Sequence, residues 1–81
     1  MKIIISTFSS VRTVCGFSEK NINLNDNSTV GDIIKILFNE FNELTNMKGK
    51  LLFAINEEYC NENKILQEGD KLAIFPPVSG G

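Results

Sequence analysis

The closing residues Pro76-Pro77-Val78-Ser79-Gly80-Gly81 hold the strongest candidate for chemistry in this 81-residue sequence. An α-carboxylate on Gly81, with an ordinary pKa near ~3.5, is ionised at neutral pH. Such a group can attack the α-phosphorus of ATP in a partner's site to form an acyl-adenylate, from which a thiolate or amine displaces AMP. Gly80 and Gly81 carry no side chains, so the carboxylate can approach another protein's backbone closely. Pro76-Pro77 favours extended polyproline geometry and keeps the following residues from folding back. Four extended residues, Val78 to Gly81, reach roughly 13 Å, enough to enter a partner's active site while the body stays outside. A Gly-Gly ending is a weak signal by itself, and its weight depends on what precedes it.

Little else in the composition is suited to catalysis. There is no His, so the commonest general base and zinc ligand is missing, and neither a Ser-His-Asp nor a Cys-His device can be built from this chain. Cys15 and Cys60 lie far apart with no C-x-x-C; they read as small buried thiols, not as a zinc site or a disulfide. Eight Lys+Arg against ten Asp+Glu give a net charge of -2, without the basic excess of a nucleic-acid footprint. Glu57, Glu58, Glu62 and Glu68 form no tight pair and read as a solvated face. No apolar run approaches the roughly 20 residues of a membrane span, and Met1 to Ser6 is too short an apolar start for a signal peptide. The expectation is a cytoplasmic domain with no bound cofactor, metal, nucleic acid or membrane.

The elements that must position the ending are legible from periodicity. Lys2 to Phe8 (K-I-I-I-S-T-F) predicts a strand, and the unbroken Ile3-Ile4-Ile5 suggests a central one covered on both faces. Val11, Val14 and Cys15 before Gly16 predict a short glycine-capped helical turn. Lys20 to Asn25 alternates, with Ile22 and Leu24 inward, as in a half-buried strand. Val30, Ile33, Ile34, Leu37, Phe38 and Phe41 mark one face of a helix, with Thr29 and Asp32 spaced for a capping box. Leu51 to Ile55 predicts a buried strand, Tyr59-Cys60 a brief strand or turn, and Glu68-Gly69-Asp70 a turn. Lys71 to Phe75 is the last strand, stopped by the prolines. The order β, short helix, β, long helix, β, turn, β predicts an α+β fold of β-grasp, ubiquitin-like type, a mixed sheet with one main helix packed across it. A ferredoxin-like arrangement would need a second full helix. Residues 1–77 are expected to form the β-grasp domain and residues 78–81 an extended, flexible tail.

On these residues the sequence resembles the family of small, sulfur-carrier subunits of molybdopterin synthase. The matching pieces are F-x-x-V-R-x-x-x-G (Phe8, Val11, Arg12, Gly16), T-V (Thr29, Val30), K-L-L-x-A-I-N (Lys50 to Asn56) and above all E-G-D-K-L-A-I-F-P-P-V-S-G-G, Glu68 to Gly81. The resemblance spans essentially the whole chain. It implies that Gly81 is adenylated by an E1-like adenylyltransferase that consumes ATP, then converted with sulfur from a sulfurtransferase to a thiocarboxylate (1-thioglycine). The tail of Val78, Ser79, Gly80 and Gly81 would then enter the large subunit of molybdopterin synthase and donate sulfur to cyclic pyranopterin monophosphate. The large subunit would supply the catalytic residues, and two copies of each would make a heterotetramer.

The same resemblance places Phe8, Arg12, Tyr59, Phe75 and Pro76 near the partner interface. Three of them have a plainer reading: Phe75 as a core residue, since alternation turns either Ile74 or Phe75 outward; Tyr59 as a half-exposed turn residue; Arg12 as a solvated cation. Alternatives to the molybdopterin role are a carrier for thiamine or tRNA thiolation, a protein modifier conjugated to lysines through Gly81, and a β-grasp interaction module whose ending is incidental.

Overall fold

The apolar stripe that begins at Val30 forms the main helix. A computed structural model describes residues 1–77, and in it that helix spans Val30–Glu40 (α2). Its start is fixed by the reciprocal pair expected from the sequence. The Thr29 hydroxyl accepts from the Asp32 amide at 3.3 Å, and the Asp32 carboxylate accepts from the Thr29 amide at 2.9 Å. Val30, Ile33, Ile34 and Leu37 are buried, while Phe38 and Phe41 pack half-buried at the margin.

Five strands form the sheet beneath it: β1 (Lys2–Thr7), β2 (Glu19–Asn23), β3 (Leu52–Ile55), β4 (Glu58–Cys60) and β5 (Lys71–Phe75), in the order β2-β1-β5-β3-β4. β1 and β5 are parallel; the other neighbours are antiparallel. This is the mixed sheet with one main helix across it that the pattern predicts. A short helix, α1 (Ser9–Cys15), links β1 to β2 and ends at Gly16, whose φ of 78° is the left-handed cap glycine adopts without strain.

Strand alternation divides the sheet into two faces. Ile3, Ile5, Phe53, Ile55, Leu72 and Ile74 point into the core against α2, with Val11, Leu44 and Leu66 completing it. Ile4, Ser6, Leu52, Ala54, Lys71, Ala73 and Phe75 lie on the opposite face, which no helix among the described residues covers. β1 is an interior strand as expected, between β2 and β5, but it is packed on one face alone, which leaves Ile4 only half-buried.

Asn42–Met47 folds as a 3-10 helix with Leu44 fully buried, an element the pattern reading did not foresee. Its signal is the spacing of Phe41, Leu44 and Met47, three residues apart, which matches three residues per turn and not 3.6. The brief strand at Tyr59-Cys60 is real and closes a two-residue hairpin, with Ile55 opposite Glu58. Both loop residues have positive φ, Asn56 at 48° and Glu57 at 75°. Such a turn favours Asn then Gly, and Glu57 carries a Cβ where none is wanted. Glu57→Gly is therefore expected to raise stability by about 1 kcal/mol, read as a higher denaturant midpoint at unchanged slope; a lower midpoint would contradict this turn geometry.

Candidate functional site

The end of β5 is held differently on its two sides. Toward β3 the ladder runs to Leu52 opposite Phe75, but toward β1 it stops one residue earlier, at Thr7 opposite Ile74. Beyond Thr7 the chain turns away into α1, and what faces Phe75 there is the Phe8 side chain. The two rings stack with centroids 4.7 Å apart and planes 12° from parallel. Tyr59, opposite Ala54 on β4, brings its ring to 6.4 Å from Phe75 at 53°, and is 76% exposed. Three aromatic rings from three parts of the chain thus meet where the sheet hands over to Pro76-Pro77.

The floor beside them is made of small residues in register. Ser6 lies opposite Ala73 and Ala73 opposite Ala54, so a row of short side chains crosses β1, β5 and β3. Ser6 and Ala54 are 5% and 6% exposed although no helix covers this face. With Phe8, Tyr59 and Phe75 as walls, the floor forms a shallow, open depression of about 590 Å³. Asn56, Glu57 and Lys71 border it, and Lys71 pairs with Glu19 of β2 at 2.9 Å in an exposed ion pair. The arrangement is an apolar, shape-defined patch suited to another protein's surface. Among the described residues no group of three or more His, Cys, Asp or Glu could hold a metal ion.

Of the residues singled out in the sequence, Phe8, Tyr59 and Phe75 come together, and Pro76 follows Phe75 directly. Alternation resolves the Phe75 ambiguity: Ile74 is in the core and Phe75 on the open face. Arg12 is exposed, yet it is more than a solvated cation. Its Nε and Nη2 each donate to the Thr7 carbonyl at 3.3 Å and its guanidinium lies 5.9 Å from the Phe8 ring centroid, so the side chain is neither merely solvated nor extended away from the body. Val78, Ser79, Gly80 and Gly81 lie outside the described residues. Ser6, Ala54 and Ala73 escaped the sequence reading because short residues carry no signal until the strand register brings them side by side.

Neither cysteine is poised as a nucleophile. Cys15 is buried at the end of α1, and burial, reinforced by Glu40 and opposed by Lys20, pushes its thiol pKa up. Cys60 is half-buried, more open than expected; burial raises its pKa too, against the opposing effects of Lys64 and a hydrogen bond from the Ile55 backbone. Both are free thiols whose reactive thiolate form is disfavoured at neutral pH. No helix among the described residues is long and apolar enough to cross a membrane.

Comparison with known proteins agrees with this architecture. The model of the ThiS family matches residues 5–81. The molybdopterin synthase sulfur carrier subunit of Arabidopsis thaliana is 31% identical over 81 residues, covering 100% of this chain and 84% of that protein. The subunit of the same description from Chlamydomonas reinhardtii is 31% identical over 83 residues, with both chains covered completely. Among solved structures, SAMP1 from Haloferax volcanii superposes with a TM-score of 0.84 at 25% identity, covering 100% of both chains. A complex of subunits 1 and 2 of the molybdopterin-converting factor from Helicobacter pylori matches with a TM-score of 0.67 at 24% identity, again over 100% of both chains, which bears on the fold alone.

Proposed function

Because this chain belongs to the ThiS family, we propose that it is the sulfur-carrier subunit of a molybdopterin synthase, with the α-carboxylate of Gly81 as its reacting group. The observation that carries the reading is the position of the aromatic patch. Phe8, Tyr59 and Phe75 surround the point where β5 ends, and only Pro76 to Ser79 separate Phe75 from the two glycines. A partner that docks on the patch therefore receives the ending at the distance an extended segment can bridge.

The chemistry then proceeds on the carboxylate. A carboxylate oxygen of Gly81 attacks the α-phosphorus of ATP in an E1-like adenylyltransferase, and pyrophosphate leaves. The terminal sulfur of a sulfurtransferase's cysteine persulfide attacks the acyl carbon and AMP leaves; a second thiol of that partner then attacks the donor cysteine's sulfur, breaking the S–S bond of the acyl disulfide, so that the partner is left as a disulfide and Gly81 as a thiocarboxylate. The large subunit of the synthase takes the loaded ending, and sulfur passes to cyclic pyranopterin monophosphate as the carboxylate is regenerated by water. The small chain supplies a substrate group and a docking face, and the large subunit supplies the acid-base groups that a His-free sequence lacks. Assembly of two small and two large subunits, in the cytoplasm, completes the reading. Residues 1–77 act as the docking body and 78–81 as the inserted segment.

Reconstitution tests it. The full chain is combined with adenylyltransferase, ATP, sulfurtransferase, large subunit and the pterin precursor, and formation of the dithiolene product is expected. Sulfur loading without product would sink the molybdopterin assignment and point to thiamine or tRNA thiolation. A second reading, a protein modifier joined to lysines through Gly81, is favoured by the likeness to SAMP1; it predicts high-mass conjugates that vanish when Gly81 is deleted.

The patch makes its own prediction. Tyr59 is exposed in the isolated chain and can bury its ring only against a partner. Tyr59→Ala is expected to weaken binding to the large subunit about tenfold, near 1.4 kcal/mol, with thermal stability unchanged. Unchanged affinity by calorimetry would remove Tyr59 from the interface.

A further inference from the structure

We propose that Arg12 is a positioning residue, which fixes the direction in which the chain leaves the sheet by holding Phe8 against Phe75, and does not serve as a charge for a partner. The proposal rests on the carrier reading above. Its basis is the one-sided support of Phe75. On the β1 side the backbone ladder ends at Thr7–Ile74, so the Phe8 ring is the lateral contact there.

Four features hold that ring in place. The Arg12 guanidinium forks onto the Thr7 carbonyl through Nε and Nη2 and lies over the ring of the next residue, Phe8. The Phe8 carbonyl accepts from the Val11 and Arg12 amides at 3.1 and 3.3 Å, which ties the corner to the first turn of α1. Ser9, between them, has a φ of 51°, a left-handed conformation that a residue with a Cβ keeps only when its surroundings impose it. The Thr7 hydroxyl, donating to the Phe17 carbonyl, anchors the other side of the corner. Arg12 and Phe75 thus both contact the Phe8 ring, and Pro76 follows Phe75 directly. Arginine suits this position because its flat fork can meet a carbonyl and lie over a ring at once. Lysine keeps the charge and cannot do both.

The test compares the full-length wild type with Arg12→Lys and Arg12→Ala. Aromatic NMR signals of Phe8 and Phe75 report the ring stack directly. Steady-state kinetics with the ATP-dependent carboxylate-activating enzyme report presentation of Gly81. Both variants are expected to stay folded and to lose the ring-current shifts. The kcat for activation should drop about tenfold while KM stays within about twofold, since the body docks as before and the carboxylate is presented less well. Ring signals that stay unchanged would overturn the proposal. So would unchanged kinetics, or a raised KM that Arg12→Lys restores, since that pattern marks a direct ion pair with the partner. If the wild type itself is never activated, the carrier reading fails and this proposal fails with it; that outcome is distinguishable because the wild-type control shows it alone.

Discussion

Deleting Gly81 is expected to abolish sulfur loading while leaving the melting temperature unchanged. Among the described residues the buried core runs from Ile3 to Ile74, and a deletion at position 81 leaves every one of those side chains in place. Function rests on where a single carboxylate sits. With Gly81 gone, the new terminus on Gly80 retreats by about 3.5 Å, the length of one extended residue. In-line attack on a phosphorus needs the reacting atoms within roughly 3–3.5 Å, and a misplacement of even 1 Å can cost about a hundredfold. The loss in the rate of thiocarboxylate formation should therefore be at least about a hundredfold, with the far-UV spectrum and melting curve those of the wild type. Loading retained within a few-fold would mean that the reacting group lies elsewhere on the chain.

Leu72→Ala has the opposite profile, with stability lost first and function only as its consequence. Leu72 is fully buried on the central strand, in register with Ile5 on one side and Ile55 on the other. Truncating such a residue removes its transfer free energy and leaves a cavity that flanking strands cannot easily close, at a cost of about 2–5 kcal/mol. A domain of this length has only about 4–12 kcal/mol in total. The melting temperature should fall by at least about 10 °C. A drop of under about 4 °C would show that the sheet repacks around the site and that β5 is less rigid than its position implies.

The contrast between these two substitutions follows the division of labour in the sequence. Features that depend on neighbours within a few residues were legible: the stripe from Val30 to Leu37, the Thr29–Asp32 capping box, the glycine cap at Gly16 and the stop of β5 at the prolines. Each is a local pattern whose physics is contained in a short window. The α+β, β-grasp class followed from their order.

What stayed hidden needed distant residues to meet. Nothing near Phe8 says that it will stack on Phe75; the parallel pairing of β1 with β5 does. The same pairing turns Ser6, Ala73 and Ala54 from unremarkable short residues into the floor of a patch. Arg12 looked like a free cation because its partner, the Thr7 carbonyl, becomes available only once the chain bends at Ser9. The 3-10 helix was missed for a different reason. Its apolar residues repeat every three positions, and a search at 3.6 passes over them.

If Gly81 is the sulfur-bearing residue, intact-mass measurement of the full-length protein after incubation with adenylyltransferase, ATP and a sulfur source, followed by fragmentation to locate any change, will show it. One oxygen is expected to be replaced by sulfur, on Gly81 alone and not when ATP is withheld. A terminus that remains a plain carboxylate under those conditions, or sulfur found on Cys15 or Cys60 instead, would contradict it.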